Sequence, residues 1–527
     1  MNYTIRMAVA VLLPFWLTPS TIRAEITVDI RDCGAVGDGK TLCTAAIQKA
    51  IGRCADQGGG TVRVPAGTWL TGTVYLESNL TLVLDKDATL LGSRRHEDYA
   101  QPKASAGPNA KPTDFRYAAI LAGSDLQNVT LRGEGTIDGQ GDAFLDKSKR
   151  RPKNIYLLHC RNVTVEGLRL RNAGSWMQHY RHCDGLVIRK IDVFNHVAYN
   201  NDGLDVDSCS NVRIEDCRVD SDDDAIVIKS LSRDPCRNIV IRNCTVSSHC
   251  NAIKAGTESG GGFREMEVTN CTVHSPQKSK VIYGRQRGLA GIALEIVDGG
   301  TLDKVTVSNV RIDGVTVPVF LRLGNRARAD GEKSPKPGVG TFQNVVLREI
   351  TAENVGEIGC AIAGLPEHPI KDVVLENLRF RFEGGGTKEH ATRQIPERPE
   401  SYPEGTMFGV LPAYGFYCRH AEGLVFRNVS VCTQQPDLRP AMVFDDVKRL
   451  TIDSLEAGCA SGALAVLRLV DVDGAEIRGC KAATADPFLL LEGQRTRQIV
   501  ARQNDLSRAA KAVGFGPGVA RESLSTE

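Results

Sequence analysis

One short phrase recurs along this chain and leaves little freedom in how the chain can fold. It runs Asn or Gly, a branched apolar residue, any residue, a second apolar residue, two polar-leaning positions, then an apolar residue or Cys. It reads NVTVEGL from Asn162, GLVIRKI from Gly185, NVRIEDC from Asn211 and NIVIRNC from Asn238. Looser copies begin at Lys304, Asn344, Asp372, Gly423 and Arg449, and weaker ones at Glu265, Gly474 and Gln498. The starts Asn162, Gly185, Asn211, Asn238 and Glu265 follow one another at a nearly constant interval. Each copy alternates apolar and polar positions and is rich in β-branched residues, which is the pattern of a strand. Long helical periodicities are missing between copies, so a βαβ array is excluded. A period of this length with several short strands per turn predicts an all-β chain wound as a right-handed parallel β-helix, a solenoid. One coil cannot bury its apolar face alone. Stacking coils about 4.8 Å apart completes both the core and the hydrogen-bond ladder. A solenoid lengthens without adding separate cores, so 527 residues do not require several domains.

The repeat also organises the rest of the chain. Cys217, Cys244 and Cys271 close three successive copies at one constant interval, which predicts an inward column of thiols. The Asn heading several copies should stack at a turn, since Asn tolerates the left-handed conformation. An open solenoid end needs a cover. Cys43, Ile47, Ile51 and Cys54 recur at helical spacing between Thr41 and Ala55, and Gly58-Gly59-Gly60 then ends the helix. Residues 25–100 are therefore expected to form an N-terminal helical cap and the first coils, 101–505 the parallel β-helix domain, and 506–527 a C-terminal tail. Breaks near 275–300 and 380–415 interrupt the repeat; the second, rich in Gly, Pro and charge, reads as a loop or lid.

Residues 1–24 have the layout of an export signal: Arg6, the apolar run Met7–Leu17, and a cleavage point after Ala24. The run is short for a membrane span, so the mature chain is expected to be secreted or periplasmic, without a membrane span, and monomeric. Lys plus Arg number 65 and Asp plus Glu 63. That balance gives no reason to expect nucleic acid as a partner.

The densest acidic stretches are NNDGLDVDS from Asn200 and DSDDDAIVIKS from Asp220. Asp202 and Asp223 are separated by just under one coil, so they should meet on adjacent coils with Asp224 beside them. Carboxylates brought together raise one another's proton affinity. Glycosidic hydrolysis uses that split, one protonated acid for the leaving oxygen and one ionised base for water. Spacing alone leaves acidic corner residues, a Ca²⁺ site and a solvated patch open as alternatives.

Several motifs resemble the polygalacturonase-type glycoside hydrolases, pectin-degrading β-helix enzymes, in a bacterial branch. They are DCGAVGDGKT (Asp32–Thr41), QGGGTVRVPAGTW (Gln57–Trp69), GEGTIDGQG (Gly133–Gly141), Asn200-Asn201-Asp202-Gly203 and Asp223-Asp224. The resemblance covers about residues 30–330. It implies inverting hydrolysis of an α-linked pectic polysaccharide, with Asp223 as general acid and Asp202 and Asp224 positioning and activating water. His249 matches the family's Gly-His-Gly motif without its glycines, in Ser248-His249-Cys250, and would tune the carboxylates. The family's next motif, Arg-x-Lys, binds a sugar carboxylate. Here Ala293 and Glu295 stand in its place, which puts plain polygalacturonan in question. Lys254, Arg285, Arg287, Arg322 and Arg326 are the bases that could substitute, and Glu295 could bond the hydroxyls of a neutral sugar such as rhamnose. Trp176, Tyr180, Tyr199 and Tyr283 lie near these motifs and could stack on a sugar or pack in the solenoid.

No cofactor and no metal are expected. Gly34–Thr41 formally matches a phosphate-binding loop, but Asp38 would face the phosphate and no parallel α/β sheet follows. No zincin helix, paired CxxC or GxSxG elbow occurs. Competing functions are a polysaccharide lyase on a similar helix and a carbohydrate-binding solenoid without activity.

Overall fold

The computed structural model describes residues 26–99, 118–276, 280–329, 334–482 and 486–526; the export signal expected at 1–24 lies outside them. The strands form one continuous parallel system in which each coil pairs with the next, as expected of a parallel β-helix. The pairing intervals equal the spacing of the repeat. Arg161 pairs with Asp184, Asp184 with Ser210, Ser210 with Arg237 and Arg237 with Arg264. Val163, Leu186, Val212, Ile239 and Met266 thus stack into the core while their neighbours alternate outward.

The turn-heading Asn residues take the left-handed conformation, with φ 55° at Asn162, 56° at Asn211 and 53° at Asn238. Their amides link between coils: Asn238 Nδ2 donates to Asn211 Oδ1 at 2.6 Å, and Asn211 Nδ2 to Asp184 Oδ1 at 2.6 Å. Cys217, Cys244 and Cys271 are buried. No disulfide joins any of the cysteines among the described residues. A second thiol column, Cys160, Cys183, Cys209 and Cys236, follows the same repeat intervals. There the Cys183 and Cys209 amides donate to the thiol of the next coil, at 3.2 and 3.3 Å.

The helix Thr44–Ala55 buries Ile47, Ala50, Ile51 and Cys54 over the first coils. Asp38 does not cradle an anion; its carboxylate accepts the Lys40 and Thr41 amides in a turn. The coil does not stop at 505. Val513–Phe515 and Leu524–Thr526 pair with the strands Leu489–Glu492 and Arg497–Arg502, so the segment expected as a tail adds a further part-coil.

One stack of strands differs from the others. Leu204–Asp207, Ile226–Ser230, Asn251–Ser259, Ala290–Ile296 and Val317–Leu323 are almost wholly buried on both faces. Leu204, Ile226, Ile253 and Ile292 point into the core. The opposite face carries Asp205, Lys229, Lys254 and Glu295, and that face is where the site is built.

Candidate active site

The corners leading into this stack bring the acids together. Asp202 precedes the strand Leu204–Asp207, and Asp223 and Asp224 precede Ile226–Ser230 one coil later. Adjacent coils are locked there: the Gly203 amide donates to the Asp224 carbonyl at 2.9 Å and the Asp223 amide to the Asn201 carbonyl at 3.3 Å. Asn201 fixes the corner from below, accepting the Val197 and Ala198 amides and donating to the Ala173 and Ser175 carbonyls. One oxygen from each of Asp202, Asp223 and Asp224 lies within 4.8 Å of the others. The three residues are 3%, 8% and 5% exposed, so the cluster is sheltered without being sealed.

Two ammonium groups flank the cluster. Lys229 Nζ lies 3.0 Å from Asp202 Oδ2 and 2.7 Å from Asp205 Oδ1. Lys254 Nζ lies 3.1 Å from Asp224 Oδ2 and 3.7 Å from Glu295 Oε2. Asn251 holds Asp224 further, through its side-chain amide at 2.6 Å and its backbone amide at 3.2 Å. The Asp223 carboxyl accepts the Asp224 amide at 2.9 Å and a long contact of 3.4 Å from Asn200 Nδ2, and it meets the Cys250 thiol.

The titration follows. Burial, then the Asp202 and Asp224 charges, holds the Asp223 carboxyl well above the usual carboxylate range. Burial raises Asp202 as well, but the Lys229 ammonium opposes it. Burial disfavours both ammonium groups, and the acids facing them outweigh it, so Lys229 and Lys254 stay charged. With those ammoniums already against the acids, the cluster is poorly suited to a hard cation. Asp202 Oδ1 is buried with no hydrogen-bond partner among the described residues, an acceptor available to water or substrate.

The other expected site residues separate. Lys254 is in the site, but its charge is shared by Asp224 and Glu295. Glu295 is fully buried, its Oε2 accepting the Thr257 hydroxyl at 3.1 Å, and burial pushes its carboxyl up to about 7. Arg285 is exposed on the 280–288 loop. Arg287 pairs with Glu383 at 2.5 Å. Arg322 is not available to a ligand: its guanidinium donates to the carbonyls of Ala363, Gly364, Glu397 and Arg398. Arg326 pairs with Asp298. His249 donates from Nδ1 to the Arg285 carbonyl at 3.0 Å, and its ring stands 5.4 Å from that of His196.

Tyr180 belongs to the core. Trp176 is half-buried, with Lys229 Nζ 3.5 Å and Lys153 Nζ 4.0 Å from its ring centre. Tyr199 carries Lys147 at 3.8 Å, and Tyr283 is exposed.

Two site residues carried no signal in the sequence, Tyr402 and Glu404. They come from the 380–415 loop, which is docked. Phe408 and Leu411 pack on Ala293, Val317 and Phe320, and the Asn325 amide donates to the Pro399 carbonyl at 2.7 Å. The Tyr402 ring, 48% exposed, lies 5.4 Å from Lys254 Nζ. Burial raises Glu404, and Lys254 and Asp224 are the charges that act on it next. Lys229 had a faint signal: strand alternation places it on the same face as Val227, next to the acids.

Comparison with known proteins bears on this geometry. The model of Glycosyl hydrolases family 28 matches residues 54–400. A probable polygalacturonase of Vitis vinifera is 37% identical over 212 residues, 38% of this chain and 43% of that protein. An exo-poly-alpha-D-galacturonosidase of Dickeya chrysanthemi is 27% identical over 260 residues, 40% of this chain and 43% of that protein. The chain thus spans about half the length of the curated relatives it matches. Among solved structures, a hyperthermoactive exopolygalacturonase from Thermotoga maritima superposes with a TM-score of 0.59 at 20% identity, covering 77% of this chain and 91% of that one, a likeness of fold.

Proposed function

Because the chain belongs to glycosyl hydrolase family 28, we propose that it hydrolyses α-glycosidic bonds in a pectic polysaccharide, of polygalacturonan or rhamnogalacturonan type. Asp223 protonates the leaving oxygen, and Asp202 and Asp224 hold and activate the attacking water. The observation that carries this reading is the unequal environment of the three acids. Asp202 and Asp224 each face an ammonium, at 3.0 and 3.1 Å, while no described ion pair involves Asp223. A proton shared within the cluster therefore rests on Asp223, which is what a general acid requires. The unpartnered Asp202 Oδ1 is placed to accept a hydrogen bond from the water.

Inversion is part of the proposal, and the family resemblance rather than the spacing supports it. Carboxyl groups in inverting enzymes are usually about 6.5–9.5 Å apart, and oxygens here approach within 4.8 Å. Tyr402 offers an aromatic face beside Lys254, and Glu295 offers a buried carboxyl, Oε1 of which has no partner among the described residues. Export, as a monomer, is part of the same reading. Arg6 and the apolar run Met7–Leu17 support the export. No helix among the described residues is long and apolar enough to cross a membrane.

Parallel digests of homogalacturonan and rhamnogalacturonan, read by new reducing ends and by ultraviolet absorbance, test the proposal. New reducing ends without absorbance support it. An absorbing unsaturated product would make the protein a lyase, and no cleavage of either polymer would remove pectin as the substrate.

A further inference from the structure

We propose that His196, Asp222 and His249 form a transition-metal site, of the kind that takes Zn²⁺, at the corner beside the acids. Coil register stacks these residues in one column. Phe194 pairs with Asp220, and Asp220 with Ser247. Two positions further along each coil stand His196, Asp222 and His249. Neighbouring rungs are about 4.8 Å apart and alternate rungs about 9.6 Å. The two histidines sit on alternate rungs, yet their ring centres are 5.4 Å apart. One ring nitrogen from each and a carboxylate oxygen of Asp222 all lie within 4.8 Å of one another. Both rings have therefore leaned in toward the acid between them, which stacking alone does not produce.

The hydrogen bonds fix each group for ligation. His196 donates from Nε2 to Asp220 Oδ1 at 2.8 Å, leaving the lone pair on Nδ1. His249 Nδ1 faces the Arg285 carbonyl at 3.0 Å; a carbonyl only accepts, so the proton is on Nδ1 and the lone pair on Nε2. Those two remaining nitrogens, His196 Nδ1 and His249 Nε2, are buried and have no hydrogen-bond partner among the described residues. A ligating histidine characteristically donates its other N–H to a carboxylate or carbonyl in this way. The Asp222 oxygens accept the Ile282 and Tyr283 amides, both at 2.7 Å, which sets the carboxylate's direction.

Two imidazoles and a carboxylate suit zinc-like ions, with a fourth position for water. Tetrahedral ligands at about 2.0–2.1 Å from the ion lie about 3.3 Å apart, so binding would draw the three groups closer by up to about 1.5 Å. The ion would join three coils. It would also tighten the 282–285 segment, which Asp222 and His249 already hold, against the wall that carries Asp223.

The test uses untagged full-length protein treated with a chelator, then titrated calorimetrically with ZnCl₂ and followed by visible absorption with CoCl₂. One equivalent should bind with Kd below about 1 µM. Affinity should fall at least about 100-fold in His196→Ala and about 10- to 100-fold in Asp220→Ala, which removes the acceptor that orients His196 and leaves the three ligands in place. Circular dichroism confirms that each variant is folded. No stoichiometric binding, or binding unchanged in both variants, would overturn the site. The readout needs no substrate, so failure of the pectin reading would leave this result standing.

Discussion

The Lys229 ammonium stands 3.0 Å from Asp202 Oδ2, although the two residues sit on successive coils. That contact, repeated by Lys254 and Asp224 at 3.1 Å, leaves Asp223 as the acid with the least reason to ionise. Asp223→Asn removes the transferable proton while keeping the shape. The rate of reducing-end release should fall by about two orders of magnitude or more, with an unchanged thermal midpoint as the control.

Lys229→Met tests the buried charges. It leaves Asp202 and Asp205, both essentially inaccessible, without the cation between them. Breaking a buried pair from one side costs about 3–5 kcal/mol. A denaturant titration should show a loss of that order at pH 7, shrinking as the pH falls and the orphaned acids take up protons.

Glu295 sets a pH dependence of stability. Its carboxyl titrates near 7 in the folded protein against an ordinary value of 4.5. Between those values the folded state binds more protons than the unfolded one, so stability is fully present below about 4.5 and is lost as the pH rises through about 7. A shift of this size corresponds to about 3 kcal/mol. Thermal midpoints of Glu295→Gln measured from pH 4.5 to 7.5 should fall less steeply than those of the parent.

The stereochemical outcome separates two uses of the same acids. Proton magnetic resonance of an early digest should show the β-anomer appearing first from the α-linked polymer. First appearance of the α-anomer would mean that one carboxylate attacks the sugar directly.

Since no disulfide joins the cysteines of the described residues, the thermal midpoint should be the same with and without dithiothreitol. A drop of several degrees under reduction would show a disulfide that the thiol columns do not contain.

The scaffold was legible because a solenoid writes its pairing into chain spacing: the interval between one phrase and the next became the strand register itself. The meeting of Asp202 with Asp223 was legible for the same reason. What alternation could not show was where each outward side chain ends. Arg322 looked like a ligand for a sugar carboxylate and instead binds four carbonyls of its own chain, because the 380–415 loop docks over it. Tyr402 and Glu404 arrive on that loop, outside any repeat, and nothing periodic marks them. The convergence of His196 on His249 was hidden differently, since register gives the rung of a side chain but not its lean.

The ladder tolerates very different lengths of chain between its rungs. Val163 is the neighbour of Leu186 after one short coil, and Val373 is the neighbour of Leu424 although the whole 380–415 loop intervenes. Whatever is inserted at a corner leaves the winding intact. The segments flanking the site can therefore be lengthened, trimmed or exchanged as separate parts without disturbing the acids that the coils bring together.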